Sequence, residues 1–108
     1  MSQATQPRWR SMQTDETRRV EAVLRTTFPR SDAYRFNSAS IRVRVIDATF
    51  EGKSNEEREA MVEPLLEQLP ESTQADIMNL ATYTPAEIAS APPPLWNIEF
   101  EDPSPSML

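Results

Sequence analysis

A chain of 108 residues with 38% hydrophobic residues builds one small domain with tails and is too short for two independent cores. Its formal charge of -6 weighs against general nucleic-acid binding, and the absence of Cys and His removes disulfides, thiolate and imidazole ligands, and the commonest catalytic bases. The charge is divided: residues 1–58 hold all 11 basic residues against 8 acidic ones, while residues 59–108 hold 9 acidic residues and no basic one. That division gives either two solvated faces or a polarity that draws two copies head to tail.

Residues 1–13 are polar, include Pro7 and have Trp9 as their one large anchor, so they read as a flexible arm. They lack the apolar core of an export signal, and no run nears the roughly 18 apolar residues of a membrane span, so a soluble cytoplasmic protein is expected. From Thr14 the pattern changes. Thr14 can cap, Asp15 and Glu16 suit the positive end of a helix dipole, and Val20, Val23, Leu24, Thr27 and Phe28 recur at helical spacing before Pro29 ends the helix.

In "AYRFNSASIRVRVID", Tyr34 and Phe36 alternate with polar residues, residues 37–40 are turn-rich, and Ile41, Val43 and Val45 alternate with Arg42 and Arg44. Two paired strands with one buried face are predicted. "FEGKSNEERE" follows, with the chain's one glycine, Gly52, in a turn. In it Ser54 and Glu57 form a capping box for a second helix lined by Met61, Val62, Leu65, Leu66 and Leu69. Pro64 lies inside that helix and should bend or divide it. Residues 70–74 read as a connector, "DIMNLATYT" as a third strand, and "TPAEI" as a helix start with Thr84 as cap and Pro85 at the first position. From Ala91 onward the chain carries five of its ten prolines, so residues 89–108 are expected to form an extended, acidic, Pro-rich tail.

A phosphate-binding loop ending in Gly52-Lys53-Ser54 needs a second glycine five residues earlier, where this chain has Asp47. That carboxylate, with Glu56, Glu57 and Glu59 at the helix start, would repel phosphate, so the stretch reads as a turn and an N-cap. Catalysis would fall to carboxylates or a depressed lysine; an enzyme is not expected, and a carboxylate-dependent hydrolase is its least remote form. No cofactor and no metal site is expected.

Two binding readings remain. Arg30, Arg35, Arg42, Arg44, Lys53 and Ser54 fall on the strands and the following turn, where they could hold single-stranded RNA or DNA with Tyr34 or Phe36 stacking a base. Against this, Tyr34 and Phe36 could be core and the arginines simply solvent-facing. In the tail, Leu95, Trp96, Ile98 and Phe100 are large anchors for a partner's pocket or sheet edge, or they fold back onto their own core or a dimer mate's.

The order helix, two strands, glycine turn, helix, strand and "TP-E" helix start resembles the BolA-like family, whose domain has a class II KH-like fold. The likeness rests on "FEGKSNEER" at residues 50–58, the helix to Leu69 and "LATYTPAE" at residues 80–87, and covers residues 14–88. It implies a small α+β domain, a three-stranded sheet with helices on one face in the order αββαβ(α). Members of the family typically follow the helix arginine with a His and place another at the start of the last strand. These can ligate an iron-sulfur cluster shared with a monothiol glutaredoxin. Glu59 and Asp76 stand at those places here, so the cluster role does not carry over. Nor does the Gly-x-x-Gly clamp of KH domains, because the one glycine begins "GKSN". The expected function is a non-catalytic protein-interaction or regulatory domain, acting on an unknown protein partner or as a homodimer and not on membranes. A weak KH-like single-stranded nucleic-acid module is the alternative.

Overall fold

Thr14 opens the first helix in the computed structural model, which describes residues 7–106. The Thr17 N–H donates to the Thr14 hydroxyl and the Thr14 N–H to the Thr17 hydroxyl, satisfying two free amides at the start of α1, Asp15–Arg25. Val20 and Leu24 of α1 are fully buried, and Phe28 completes the same apolar face just past its end. The hairpin follows as β1, Arg30–Asn37, and β2, Ser40–Ile46, antiparallel, with the Asn37 side chain accepting the Ala39 N–H across the turn.

The glycine turn is structural. Gly52 adopts φ +74°, a conformation that costs a residue with a Cβ about 1–2 kcal/mol, and Ser54 and Glu57 form the capping box of α2, Asn55–Leu66. Of the bend or division expected at Pro64, the division does not occur: the helix is continuous. Pro64 lies two residues from the helix end and faces solvent, so the missing donor costs one bond while the Glu67 N–H still reaches the Glu63 carbonyl at 2.9 Å. Residues 70–74 are not a plain connector either, because α3, Glu71–Asp76, forms there. Six residues are too few to show a period; the Gln74 side chain donating to the Leu69 and Glu67 carbonyls holds this helix against the end of α2.

The helices α2 and α3 carry the chain across to β3, Ile77–Tyr83, which pairs parallel to β2, giving the sheet order β1-β2-β3. Thr84 then caps α4, Pro85–Ala89, in a third capping box with Glu87. This is the expected α+β architecture, with α1 and α2 packed on one sheet face over Ala33, Ile41, Val43, Val45 and Phe50. Among the described residues no helix is long and apolar enough to cross a membrane.

The second sheet face is also buried, where one buried face was expected of the hairpin, and of the two tail alternatives Phe100 follows the one that folds back onto its own domain. Ala33 lies opposite Val43 and Tyr34 opposite Arg42, so Tyr34 points away from the main core. A second cluster forms there from Trp9, Tyr34 and Phe100, with Met12 and Phe36 beside it. Residues 7–13, expected to be free, contain the 3-10 helix Arg8–Met12, with Trp9 only 1% exposed. The rest of the expected arm, residues 1–6, lies outside the described residues. In the expected extended tail, residues 95–101 form α5, Leu95–Glu101, which seats Phe100 between Trp9 and Tyr34 at ring distances of 4.9 Å each. The aromatic area of Tyr34 and Trp9 needs a cover, and α5 supplies it. Residues 107–108 lie outside the described residues.

A buried carboxylate ties α1 to this hairpin. Glu21 accepts hydrogen bonds from the Ala33 N–H at 3.0 Å and the Gln13 amide at 2.7 Å, and burial raises its pKa above the ordinary value despite those bonds and the nearby Arg25. The folded state therefore holds this proton more tightly than the unfolded chain, and Glu21 withdraws stability as pH rises from about 4 toward 7. Glu21→Gln, which keeps an acceptor for Ala33, is expected to melt no lower than the wild type at neutral pH. Melting curves of the two proteins should converge as pH falls; curves that stay parallel across that range would refute the assignment.

Candidate interaction surface

Of the six residues expected on a basic surface, Arg30 and Lys53 are exposed, while Arg35, Arg42 and Arg44 are paired within the fold. The Arg44 side chain is 8% exposed; it donates to Asp32 at 2.7 Å, to the Asn97 side chain at 2.8 Å and to Glu101, and lies over the Phe100 ring at 4.5 Å. Arg42 donates to the Tyr34 hydroxyl at 3.0 Å, stacks on Phe36 at 3.8 Å and is 3.9 Å from Glu99. Arg35 pairs with Glu16 and Asp76 at 3.0 and 3.1 Å. Lys53 is exposed in the glycine turn, and the Ser54 hydroxyl is the α2 cap. The alternation that brings Arg42 and Arg44 to one face also puts them under the acidic helix α5, so their charge is spent inside the fold.

Arg58 plays a role its sequence position does not announce. It is 7% exposed, donates to the Lys53 and Thr82 carbonyls at 3.0 and 3.1 Å, and pairs with both oxygens of Glu87 at 2.8 and 3.3 Å. Glu87 therefore has its pKa lowered, first by Arg58 and then by the Thr84 amide. Residues 50–58 and 80–87, far apart in the chain, are clamped to each other by this one guanidinium. No family model and no curated protein matches the chain. Solved structures do match. BolA1 from Arabidopsis thaliana is 17% identical with a TM-score of 0.52, over 68% of this chain and 96% of that one. The solution structure of BolA1 from Mus musculus is 19% identical with a TM-score of 0.61, over 100% of this chain and 89% of that one.

The chain has a BolA-like fold.

On this BolA-like fold, helix α5 separates the four apolar anchors into two sets. Phe100, 3% exposed, docks inward; Leu95 and Ile98 lie away from it on α5 at 75% and 45% exposure, and Trp96, one turn before Phe100, stays 55% exposed at the flank. Trp96 borders a groove of about 280 Å³ along β3, with Asn55 and Glu59 of α2 on the other side. A second groove of about 430 Å³ shares Glu59 and Leu80 with the first and runs past Glu63, Glu67 and the exposed Met78. Sequence alone could not place Trp96 beside α2, because that proximity depends on how α5 seats on the second sheet face. Glu59 lines both grooves, and Asp76 is engaged by Arg35. Among the described residues no three carboxylates gather closely enough to hold a metal ion.

Proposed function

We propose that this BolA-like domain is a non-catalytic protein-interaction module whose contact surface is the outer side of α5 with the adjoining β3 groove. One observation carries the reading: Leu95, Trp96 and Ile98 stand exposed on a helix that is firmly docked through Phe100 and Asn97. Large apolar side chains held rigidly in water lose little conformational entropy on binding, and Trp in particular serves as an interface anchor. The absence of His and Cys favours a non-enzymatic role. It also leaves no soft ligand for an iron-sulfur cluster, for which Glu59 and an Asp76 already paired with Arg35 are poor substitutes.

The double variant Trp96→Ala/Ile98→Ala tests this. Both side chains are exposed, so its melting temperature should stay close to that of the wild type. Affinity capture from cell extract, compared between the two proteins by quantitative mass spectrometry, should lose specific partners in the variant. An identical captured set from both proteins would overturn the reading.

A further inference from the structure

Among the described residues β3 pairs with β2 on one side only, and the Tyr83 carbonyl accepts the Asp47 N–H on that side at 2.9 Å; on the other edge Thr82 is 7% exposed. Alternation along the strand turns the main-chain groups of Leu80 and Thr82 the other way. Among the described residues, the one partner found on that outer side is Arg58, on the Thr82 carbonyl at 3.1 Å. Unpaired N–H and C=O groups along a strand are a template for another strand.

The walls of the edge groove decide what that strand must carry. Glu59, Glu63 and Glu67 recur at intervals of four along α2 and line the groove, with no basic residue in either groove lining. Like charges at that spacing repel, and Glu63 and Glu67 stand at the negative end of the helix dipole. Among the described residues none of the three has a cation within ion-pair distance, whereas Arg35, Arg42, Arg44 and Arg58 are all paired. On the far wall stands Trp96, half exposed. A second copy presenting its own β3 would bring a second set of these glutamates against the first, so edge-to-edge pairing of two copies is opposed.

Resting on the interaction-domain reading above, we propose that the β3 edge accepts an extended segment of a partner protein by strand addition, and that this segment alternates Lys or Arg with apolar residues. Its main chain pairs with Leu80 and the Thr82 N–H, the Thr82 carbonyl being held by Arg58; its cations meet the α2 glutamates, and an apolar side chain packs on Trp96. Affinity comes from the main-chain ladder and the aromatic contact, and selectivity from the charge stripe.

The probe is a synthetic peptide alternating lysine and valine, titrated into the full-length protein. Amide-resolved NMR should show protection from hydrogen exchange at Leu80 and Thr82, and the Trp96 indole signal should shift. Glu59→Lys/Glu63→Lys, both on the helix surface, should weaken binding by at least about tenfold and transfer preference to a glutamate-valine peptide. The lysine-valine peptide N-methylated at every residue keeps its charge but has no amide donors, and it should not protect the strand. Equal binding of the N-methylated peptide would reduce the effect to charge attraction and overturn the proposal. So would protection at β3 that appears with protein concentration alone, which would make a second copy the occupant. A capture set that depends on Trp96 and Ile98, alongside an edge that no peptide protects, would leave the interaction reading standing and remove strand addition.

Discussion

Phe100→Ala is expected to lower the melting temperature by on the order of 15 °C, from a loss of about 3–5 kcal/mol for an aromatic side chain deleted from a core. Phe100 is 3% exposed and edge-on to both Trp9 and Tyr34, and it also lies beneath the Arg44 guanidinium. Alanine would leave a cavity bounded by the Trp9 and Tyr34 rings, from two separate segments, and would remove the one aromatic side chain that α5 inserts between them. Truncation after Ala91 should cost at least as much, because it strips the whole cover from Trp9 and Tyr34. Differential scanning calorimetry of both variants decides the matter. A melting temperature within about 3 °C of the wild type for Phe100→Ala would mean that α5 does not dock in solution. The contrast with Trp96→Ala, four residues away on the same helix and 55% exposed, controls for general effects of losing an aromatic residue.

Arg44→Met is the second large effect. Arg44 joins Asp32 of β1 to Asn97 and Glu101 of α5, so its removal leaves Glu101 and the Asn97 amide without their cation and leaves Asp32 with Arg25 alone. Breaking a buried ion pair by deleting one partner costs about 3–5 kcal/mol, and the lower end applies here because Glu101 is 42% exposed. Chemical denaturation should show a shifted midpoint with unchanged slope. Neutralising the partners in the same background, Asp32→Asn with Glu101→Gln, should recover part of the loss, since the penalty lies in the orphaned charges. Additive losses across that cycle would refute the network.

Two physical consequences connect these effects to function. The N-terminal 3-10 helix, the outward side of β1 and β2, and α5 form one packed layer, so the surface that α5 presents is as stable as that layer. Conversely, any change that unseats Phe100 or Arg44 should also disperse Leu95, Trp96 and Ile98 and weaken partner binding without touching them.

Local signals carried most of the regular structure. The capping boxes at Thr14, Ser54 and Thr84 are each contained within four residues, and each stands where the chain places the polar cap. The apolar period of Val20 and Leu24, the alternation of Ile41, Val43 and Val45, and the glycine turn are likewise properties of short stretches, so the order αββαβ could be read directly. The likeness of residues 50–58 and 80–87 to BolA-like proteins led to the same architecture, and Arg58 supplies the physical link between the two stretches.

What local signals could not carry is anything that depends on which residues meet across the fold. The alternation of Arg42 and Arg44 says that they share a face, but whether that face is solvent or core depends on a helix more than 50 residues away. Trp9 and Phe100 are isolated apolar residues in polar, proline-rich surroundings, where composition indicates tails. They are buried because Tyr34, forced outward by the hairpin register, offers them apolar area. α5 is seven residues long, below the length at which periodicity speaks, and its stability is tertiary. The sequence by itself determined the secondary elements and the polarity of charge along the chain, because caps, periods and net charge are local or additive. The tertiary structure alone decided which arginines are neutralised, which of the tail's anchors face water, and that Trp96 and the α2 glutamates border one strand, because these are facts about distance in space and not along the chain.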